Sequence, residues 1–254
     1  MPSTPLVATV LLTHESPEAV TRMCAHWLSR DPDQVLIVAY GGSAADFARL
    51  KEEHTVLVED PELRTRDHPR ERQSYLGVFA AVVPVITRLG VSHVHLAEYD
   101  EIPLVEGLNA RLLEVLDREQ ADVAGHRLSR VDDTSHPHFT FHCHDPAFMN
   151  YWRSMSRRDD HEVVLSMLGC GSFWKTEAFV AVSKLRPPLR IYLELMLPTA
   201  AHHLGFRVRP FPDQDRFMAP EIPKSREDFE PFRKDGAWRI HPVKGYWSQS
   251  CSNP

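Results

Sequence analysis

Unbroken apolar runs alternate, along the first half of the chain, with longer segments in which apolar residues recur every three or four positions. The runs are rich in Val, Leu, Ile and Ala without polar alternation, which is typical of strands covered on both faces. The longer segments have the spacing of amphipathic helices. The pattern therefore predicts a β-α-β series with parallel strands and right-handed crossovers. The strands predicted in this half are 6–12, 35–39, 55–58, 91–97 and 121–124.

Three helices are predicted between these strands. The first has Ser16 as its N-cap and Pro17 in its first turn, a common helix start. The others cover 71–89, where Pro84 predicts a kink, and 103–118. Up to residue 125 the chain is thus predicted to form an open, mostly parallel α/β sheet flanked by helices.

The second half of the chain is less regular and carries most of the histidines, aromatic residues and prolines. From about residue 219, prolines and charges predict an extended segment laid over the surface. The elements predicted before it are strands at 139–142, 171–174 and 207–209 and helices at 176–184 and 190–204. Pro198 interrupts the last helix.

Composition excludes several classes of protein. The 254 residues carry a formal charge of −6 with no lysine-rich run, so no global field attracts nucleic acid or an anionic membrane. The first apolar run is shorter than the roughly 20 residues of a spanning helix, and no basic flank or cleavage site marks a signal peptide. Four irregularly spaced cysteines suggest free thiols in a reducing compartment. We expect a cytoplasmic protein, and its oligomeric state stays open.

Three carboxylates follow the strand predicted at 91–97, in the stretch HLAEYDEIPL: Glu98, Asp100 and Glu101. Like charges this close raise one another's pKa unless a cation or strong donors lie among them. In an extended segment, Glu98 and Asp100 would share one side while Tyr99 points into the protein. Oxygen ligands at a strand end suit Mg²⁺ or Mn²⁺ bound with phosphates. Alternatively, the glutamates are solvated and Asp100 caps the next helix.

The order of these parts resembles the nucleotide-sugar glycosyltransferases of the GT-A fold. In that family the fourth strand ends in an acidic Asp-x-Asp motif that holds a divalent cation on the donor diphosphate, and Glu98-Tyr99-Asp100 stands in that place. The stretch GCGSFW at 169–174 resembles the turn and strand that approach the donor sugar. IYLEL at 191–195 is similar to the acidic helix, although Leu-Glu replaces the usual Glu-Asp, and HPVK at 241–244 is similar to the late metal-binding histidine segment.

The resemblance implies one GT-A-like domain over 1–254. Its parts would be a nucleotide-binding half at 1–125, an acceptor and catalytic half at 126–218, and a tail at 219–254 that closes the site. The implied activity is metal-dependent transfer of a sugar from a nucleoside-diphosphate sugar, most readily a UDP-sugar, to an unknown acceptor. The implied cofactor is Mn²⁺ or Mg²⁺.

The resemblance also implies roles for individual residues. Asp100 and His241 would bind the metal, and Glu194 would be the catalytic base. Glu194 could equally be an exposed helix residue. The residues expected to contact the nucleotide, the diphosphate or the sugar are His14, Glu15, Arg66, Arg72, Glu98, Gly171 and Lys244.

Several alternatives stay open. Arg66 and Arg72 belong to an arginine-rich loop whose acidic neighbours could simply neutralise it, and Gly171 could serve only a tight turn. A sugar-nucleotide-binding protein or a nucleotidyltransferase could use the same fold and metal. The histidines from His136 to His144 share parity, so on a strand they would share one face and could form the zinc site of a hydrolase.

Overall fold

A seven-stranded, mostly parallel sheet lies at the centre of the computed structural model, which describes residues 6–59, 74–211, 213–218 and 229–247. The strands are β1 Val7–Thr13, β2 Val35–Tyr40, β3 Thr55–Leu57, β4 His93–Glu98, β5 Ile102–Pro103, β6 Val123–Gly125, β7 Ser129–Arg130, β8 Leu165–Ser166, β9 Ser172–Lys175, β10 Val208–Pro210 and β11 Arg239–Ile240. The order in the large sheet is β10-β6-β9-β4-β1-β2-β3, and β9 runs antiparallel to both of its neighbours. The predicted fold class, an open and mostly parallel α/β sheet flanked by helices, is confirmed.

Helices cover both faces of this sheet. They are α1 Pro17–Arg30, α2 Ala44–Phe47, α3 Ser74–Leu89, α4 Leu108–Arg118, α5 Pro137–His142, α6 Pro146–Met155, α7 Thr176–Ser183, α8 Leu193–His203 and α9 Glu230–Lys234, with a 3₁₀ turn at Asp215–Phe217. Along β1, Ala8 and Val10 belong to the core shared with α3, α7 and α8, whereas Val7 and Leu11 belong to the core shared with α1 and α4. Burial on both faces explains the unbroken apolar runs.

The first helix begins as predicted. The Ser16 hydroxyl accepts a hydrogen bond from the Ala19 backbone N–H at 3.3 Å, and Pro17 occupies the first turn. Pro84, which was expected to kink its helix, and Pro198, which was expected to interrupt one, lie inside the helices α3 and α8.

Two predicted elements are wrong. Residues 137–142 form α5 rather than a strand, since Pro137 starts a helix and Phe139 packs on Phe148 of the following helix. The helix predicted from residue 103 begins only at Leu108, because β5 is instead paired antiparallel with β11. The C-terminal segment is therefore paired with β5 in a separate two-stranded sheet, just after β4, rather than merely laid over the surface.

Candidate active site

Three acidic residues follow one another at the carboxyl end of β4. The strand ends at Glu98, which is half-buried, and the chain then turns so that Asp100 and Glu101 are completely buried. Asp100 does not cap a helix, because the N-cap of α4 is Gly107. Two carboxylates out of water require cationic partners or hydrogen-bond donors.

The C-terminal segment supplies cations to these acids. His241 Nε2 lies 3.2 Å from Asp100 Oδ1 and 3.5 Å from Glu98 Oε2. Lys244 forms an ion pair with the other oxygen of Asp100. The Val243 backbone N–H donates to the Asp100 carbonyl at 2.8 Å, which fixes the segment in register. The structure thus brings four predicted site residues together.

Charge and burial have opposite effects on the pKa values of Asp100 and His241. Burial alone would raise the pKa of Asp100, but the hydrogen bond and charge of His241, together with Lys244, hold that pKa below its usual value. Burial would lower the pKa of His241, but the hydrogen-bonded carboxylates of Asp100 and Glu98 outweigh it and raise the pKa. Asp100 is therefore ionised at neutral pH, and its partners are cations.

A thiol completes the cluster on its inner side. Cys170 Sγ lies 3.6 Å from His241 Nδ1, the ring nitrogen that faces away from the acids. Within the described parts of the chain, Glu98, Cys170 and His241 are the one group of three His, Cys, Asp or Glu residues whose ligand atoms lie within 4.8 Å of one another. Burial raises the pKa of Cys170 to about 11, so the thiol is protonated at neutral pH. Cys170 was not predicted as a site residue, since a lone cysteine between glycines carries no spacing signal.

The donor atoms fit a divalent cation. Mg²⁺ and similar ions take ligands at about 2.1 Å in octahedral geometry, which places neighbouring ligand atoms about 3 Å apart. The two separations from His241 Nε2, 3.2 Å to Asp100 and 3.5 Å to Glu98, are of this size. Among the described residues, the groups that meet the two buried carboxylate oxygens of Asp100 are its ion-pair partners His241 and Lys244. His241 paired with either Glu98 or Asp100 thus has a suitable spacing, whereas Asp100 falls outside the group of three whose ligand atoms all lie within 4.8 Å of one another.

A buried arginine joins the C-terminal segment to the sheet. Arg239 is 1% exposed, and its guanidinium lies 3.2 Å from Glu101 Oε1 and donates to the Gly171 carbonyl at 2.6 Å. It also contacts the rings of His95 and His126. Burial would raise the pKa of Glu101, but Arg239 and His95 hold it below its usual value. Arg239 was not predicted as a site residue, since its one signal is a charge between the apolar residues Trp238 and Ile240.

The residues expected at the nucleotide lie beside Tyr99. His14 follows β1, and its ring meets the Tyr99 ring edge-on at 4.7 Å. Lys244 Nζ lies 3.3 Å from the Tyr99 hydroxyl. The backbone carbonyl of Glu15 accepts a hydrogen bond from the Tyr40 hydroxyl at 3.0 Å. His14 and Lys244 thus both contact Tyr99, the residue before Asp100, and their contact with a nucleotide stays a prediction.

Gly171 has a φ of 68°, and a Cβ there would lie 2.9 Å from Met218 and 3.2 Å from the Arg239 guanidinium. The chain's own side chains thus fill the space beside this glycine, as a tight turn requires. Its contact with a donor sugar stays a prediction. Arg66 and Arg72 lie outside the described residues.

Glu194 lies in the first turn of α8, with its carboxylate 3.4 Å from His138 Nδ1. The preceding Leu193 packs where a side chain on Gly169 would lie, together with Tyr75, whose hydroxyl contacts Glu98. The start of α8 is thereby connected to the acids through packed side chains. The catalytic role of Glu194 stays a prediction.

The histidine-rich stretch does not have the geometry that the zinc-site hypothesis needs. Because 137–142 is helical, residues of equal parity do not share one face. His138 stacks on Tyr192 at 4.3 Å, and His142 stacks on Phe148 at 5.0 Å and accepts a hydrogen bond from the Tyr192 backbone N–H at 3.3 Å. The premise of a shared strand face is wrong, and these histidines pack against aromatic rings.

In the parts of the chain that the structure describes, no helix combines the length and the apolar character needed to cross a bilayer.

No protein-family model matches the chain, and no curated protein matches it either. Among solved structures, a mannosyltransferase from Pyrobaculum calidifontis, in complex with GDP-Man and Mn²⁺, is 12% identical with a TM-score of 0.45, over 84% of this chain and 56% of that one. A protein assigned as a glucose-1-phosphate thymidylyltransferase from Bacillus anthracis, in complex with sucrose, is 10% identical with a TM-score of 0.43, over 81% and 87% of the two chains. Both are transferases by name, but values this low assign no activity to the present chain.

Proposed function

We propose that this protein is a metal-assisted glycosyltransferase that uses a nucleoside-diphosphate sugar. The observation that supports the proposal is the meeting of Glu98 and Asp100 with His241 and Lys244 at the carboxyl end of β4. Ligands of open α/β sheets bind at that edge. A pair of acids with one histidine suits a hard cation that also carries phosphate oxygens.

Asp100, Glu98 and His241 would hold Mn²⁺ or Mg²⁺. Bound there, the cation would neutralise the negative charge that develops on the leaving diphosphate, an effect of several kcal/mol. Lys244, whose side chain is 60% exposed, could turn from Asp100 to a phosphate oxygen as a point charge. His14 and Tyr99 would form a wall for the nucleotide, most readily of a UDP-sugar.

Glu194 would accept the proton of the acceptor hydroxyl if the reaction inverts the anomeric centre. His138, 3.4 Å away, would orient the carboxylate. The acceptor would then approach from α8, on the side of Gly169 and Leu193, while the donor lies over the end of β4.

A thermal-shift panel of UDP-, GDP-, ADP- and CDP-sugars, each with and without Mn²⁺, tests this proposal. A donor at 100 times its Kd should stabilise the protein by about 2.7 kcal/mol. Asp100→Asn should abolish the Mn²⁺-dependent part of the shift and the turnover, because it removes the buried charge that binds the ion. The matched control Asp133→Asn, at an exposed position, should behave as wild type.

Product analysis separates the proposal from its alternatives. Release of a nucleoside diphosphate with formation of a glycoside supports sugar transfer. Release of pyrophosphate from a nucleoside triphosphate and a sugar phosphate would overturn the proposal in favour of a nucleotidyltransferase. Stabilisation by no donor, with or without Mn²⁺, would contradict both activities.

A further inference from the structure

Glu98, Cys170 and His241 come from three distant parts of the chain and meet at the carboxyl end of β4. Each offers one ligand atom, a carboxylate oxygen, a thiol sulfur or a ring nitrogen, and the three atoms all lie within 4.8 Å of one another. The sulfur is 3.6 Å from Nδ1 of the imidazole ring, and the carboxylate Oε2 is 3.5 Å from Nε2. We call these three residues the Cys170 cluster.

The ligand atoms of the Cys170 cluster differ in kind from those of a magnesium site. Asp100 contacts His241 but lies outside the cluster, so a cation that takes three ligands at this spacing includes the sulfur. One sulfur, one nitrogen and one oxygen are the ligands that Zn²⁺ and similar cations accept, whereas Mg²⁺ prefers oxygen alone. The cluster therefore favours a cation with affinity for thiolate.

The turn before β9 holds the thiol in place. The Gly171 backbone N–H donates to the Leu96 carbonyl of β4 at 2.8 Å, and the Ser172 hydroxyl donates to the Gly169 carbonyl at 2.7 Å. Cys170, which is buried, thus lies between residues whose backbone is already anchored. Because the sulfur is positioned before any ion arrives, little conformational entropy is lost when it binds one.

The other two ligands are positioned as well. The Tyr75 hydroxyl contacts Glu98 Oε1, so that Oε2 is the oxygen that faces His241. The His241 backbone N–H donates to the Phe217 carbonyl at 3.1 Å, directly after β11 ends. The side chains of Glu98 and His241 are 24% and 12% exposed, so a cation arriving from solvent meets them before the buried sulfur.

The spacing within the cluster is close to that of a tetrahedral zinc site. Zinc bonds of about 2.3 Å to sulfur and about 2.1 Å to nitrogen place neighbouring ligand atoms about 3.5 Å apart. The separations of 3.6 Å and 3.5 Å are of this size. They involve different nitrogens of the ring, so the partly exposed Glu98 carboxylate must rotate toward the nitrogen that binds the ion.

We propose that Glu98, Cys170 and His241 bind a thiophilic divalent cation such as Zn²⁺. Binding releases a proton from the thiol and one from the imidazole to the solvent, because the thiolate and the neutral ring are the ligands. Since Glu98 and His241 also belong to the proposed sugar-transfer site, Zn²⁺ and the cation of that site exclude each other. The proposal does not need sugar transfer, and its test uses the metal alone, so either can fail without the other.

Titration with Co²⁺, followed by absorbance, tests the sulfur ligand. Co²⁺ replaces Zn²⁺ in tetrahedral sites and gives a thiolate-to-metal charge-transfer band in the near ultraviolet, which oxygen and nitrogen ligands do not give. The wild-type protein should show this band, and Zn²⁺ should remove it whereas excess Mg²⁺ should not. Absence of the band in the wild type at excess Co²⁺ would overturn the proposal, whatever the behaviour of any variant.

Variants assign the band to Cys170. Cys170→Ser keeps nearly the same size without a sulfur, so the band should disappear and Zn²⁺ affinity, measured by competition with a chelating dye, should fall at least about tenfold. Glu98→Gln, at a partly exposed position, should also weaken Zn²⁺ binding. Cys143→Ser removes a thiol outside the cluster and should behave as wild type. A band that persists in Cys170→Ser, folded by circular dichroism, or unchanged Zn²⁺ affinity in Glu98→Gln, would overturn the proposal.

Discussion

Arg239 is the residue that most directly connects the C-terminal segment with the sheet. Its guanidinium is buried against Glu101, which is buried as well, and against the Gly171 carbonyl. A buried ion pair adds little net stability over an apolar pair, but removal of one partner leaves an uncompensated charge. Removal of one partner should therefore lower the free energy of unfolding much more than replacement of both partners by apolar residues.

We predict that Arg239→Met lowers the free energy of unfolding by about 3–5 kcal/mol, because Glu101 remains buried without its cation. The double variant Arg239→Met with Glu101→Leu should recover most of this loss. Urea unfolding followed by tryptophan fluorescence measures both values. A single variant within about 1 kcal/mol of wild type would show that water or another donor compensates Glu101.

Glu194→Gln tests the proposed base at the same scale. The change keeps the size of the side chain and its place beside His138, but the amide cannot accept a proton. The rate at saturating acceptor should fall by about 10²-fold or more, while donor affinity stays nearly unchanged. Steady-state kinetics with the donor identified by thermal shift provide the measurement. A normal rate would mean that Glu194 is not the base.

At the scale of elements, the pairing of β5 with β11 positions His241. Ile240 pairs with Ile102, so the next residue, His241, is held beside the end of β4. His241→Ala should weaken Mn²⁺-dependent donor binding at least about tenfold, or 1.4 kcal/mol, because one ligand is lost. His161→Ala, at an exposed position away from β11, serves as the control. Calorimetric titration giving equal affinities for both variants would remove His241 from the site.

The elements that neighbouring residues determine were predicted correctly from the sequence. The apolar runs of β1, β2 and β4, the Ser16 cap of α1 and the acids after β4 could all be read from neighbouring residues. Short aromatic stretches do not distinguish a helix from a strand, which explains why α5 was predicted as a strand.

The rest of the site depends on contacts between distant parts of the chain. His241 was predicted by resemblance, but nothing local to Arg239 or Cys170 shows that they meet Glu101 and His241. The pairing of β5 with β11 could not be predicted either, because each strand has two residues and is too short to show a hydrophobic period.

At the scale of the whole molecule, buried neutral histidines make stability depend on pH. Burial lowers the pKa of His126 from 6.5 to about 4, so between these values the unfolded chain binds a proton that the folded protein does not. Acidification through this window therefore lowers the free energy of unfolding, by about 3 kcal/mol for His126 at about 1.4 kcal/mol per pKa unit.

The variant His126→Gln checks this sign. Its free energy of unfolding should depend less on pH than that of wild type between pH 6.5 and about 4.5. Asp100 and Glu101, whose pKa values are held low, lose their contributions at still lower pH and do not confound this window. Urea titrations at several pH values supply the curves, and parallel curves for the two proteins would contradict the assignment.

The pairing of β5 with β11 also determines which part of the protein folds last during biosynthesis. Arg239 and His95 lie 144 positions apart, so the ribosome releases the end of β4 long before the segment that neutralises it. Closing so long a loop loses chain entropy before any contact compensates, which makes this step slow relative to local pairing. A nascent chain can thus form the sheet while Asp100 and Glu101 are still hydrated. The proposed catalytic machinery is then the last part of the molecule to mature.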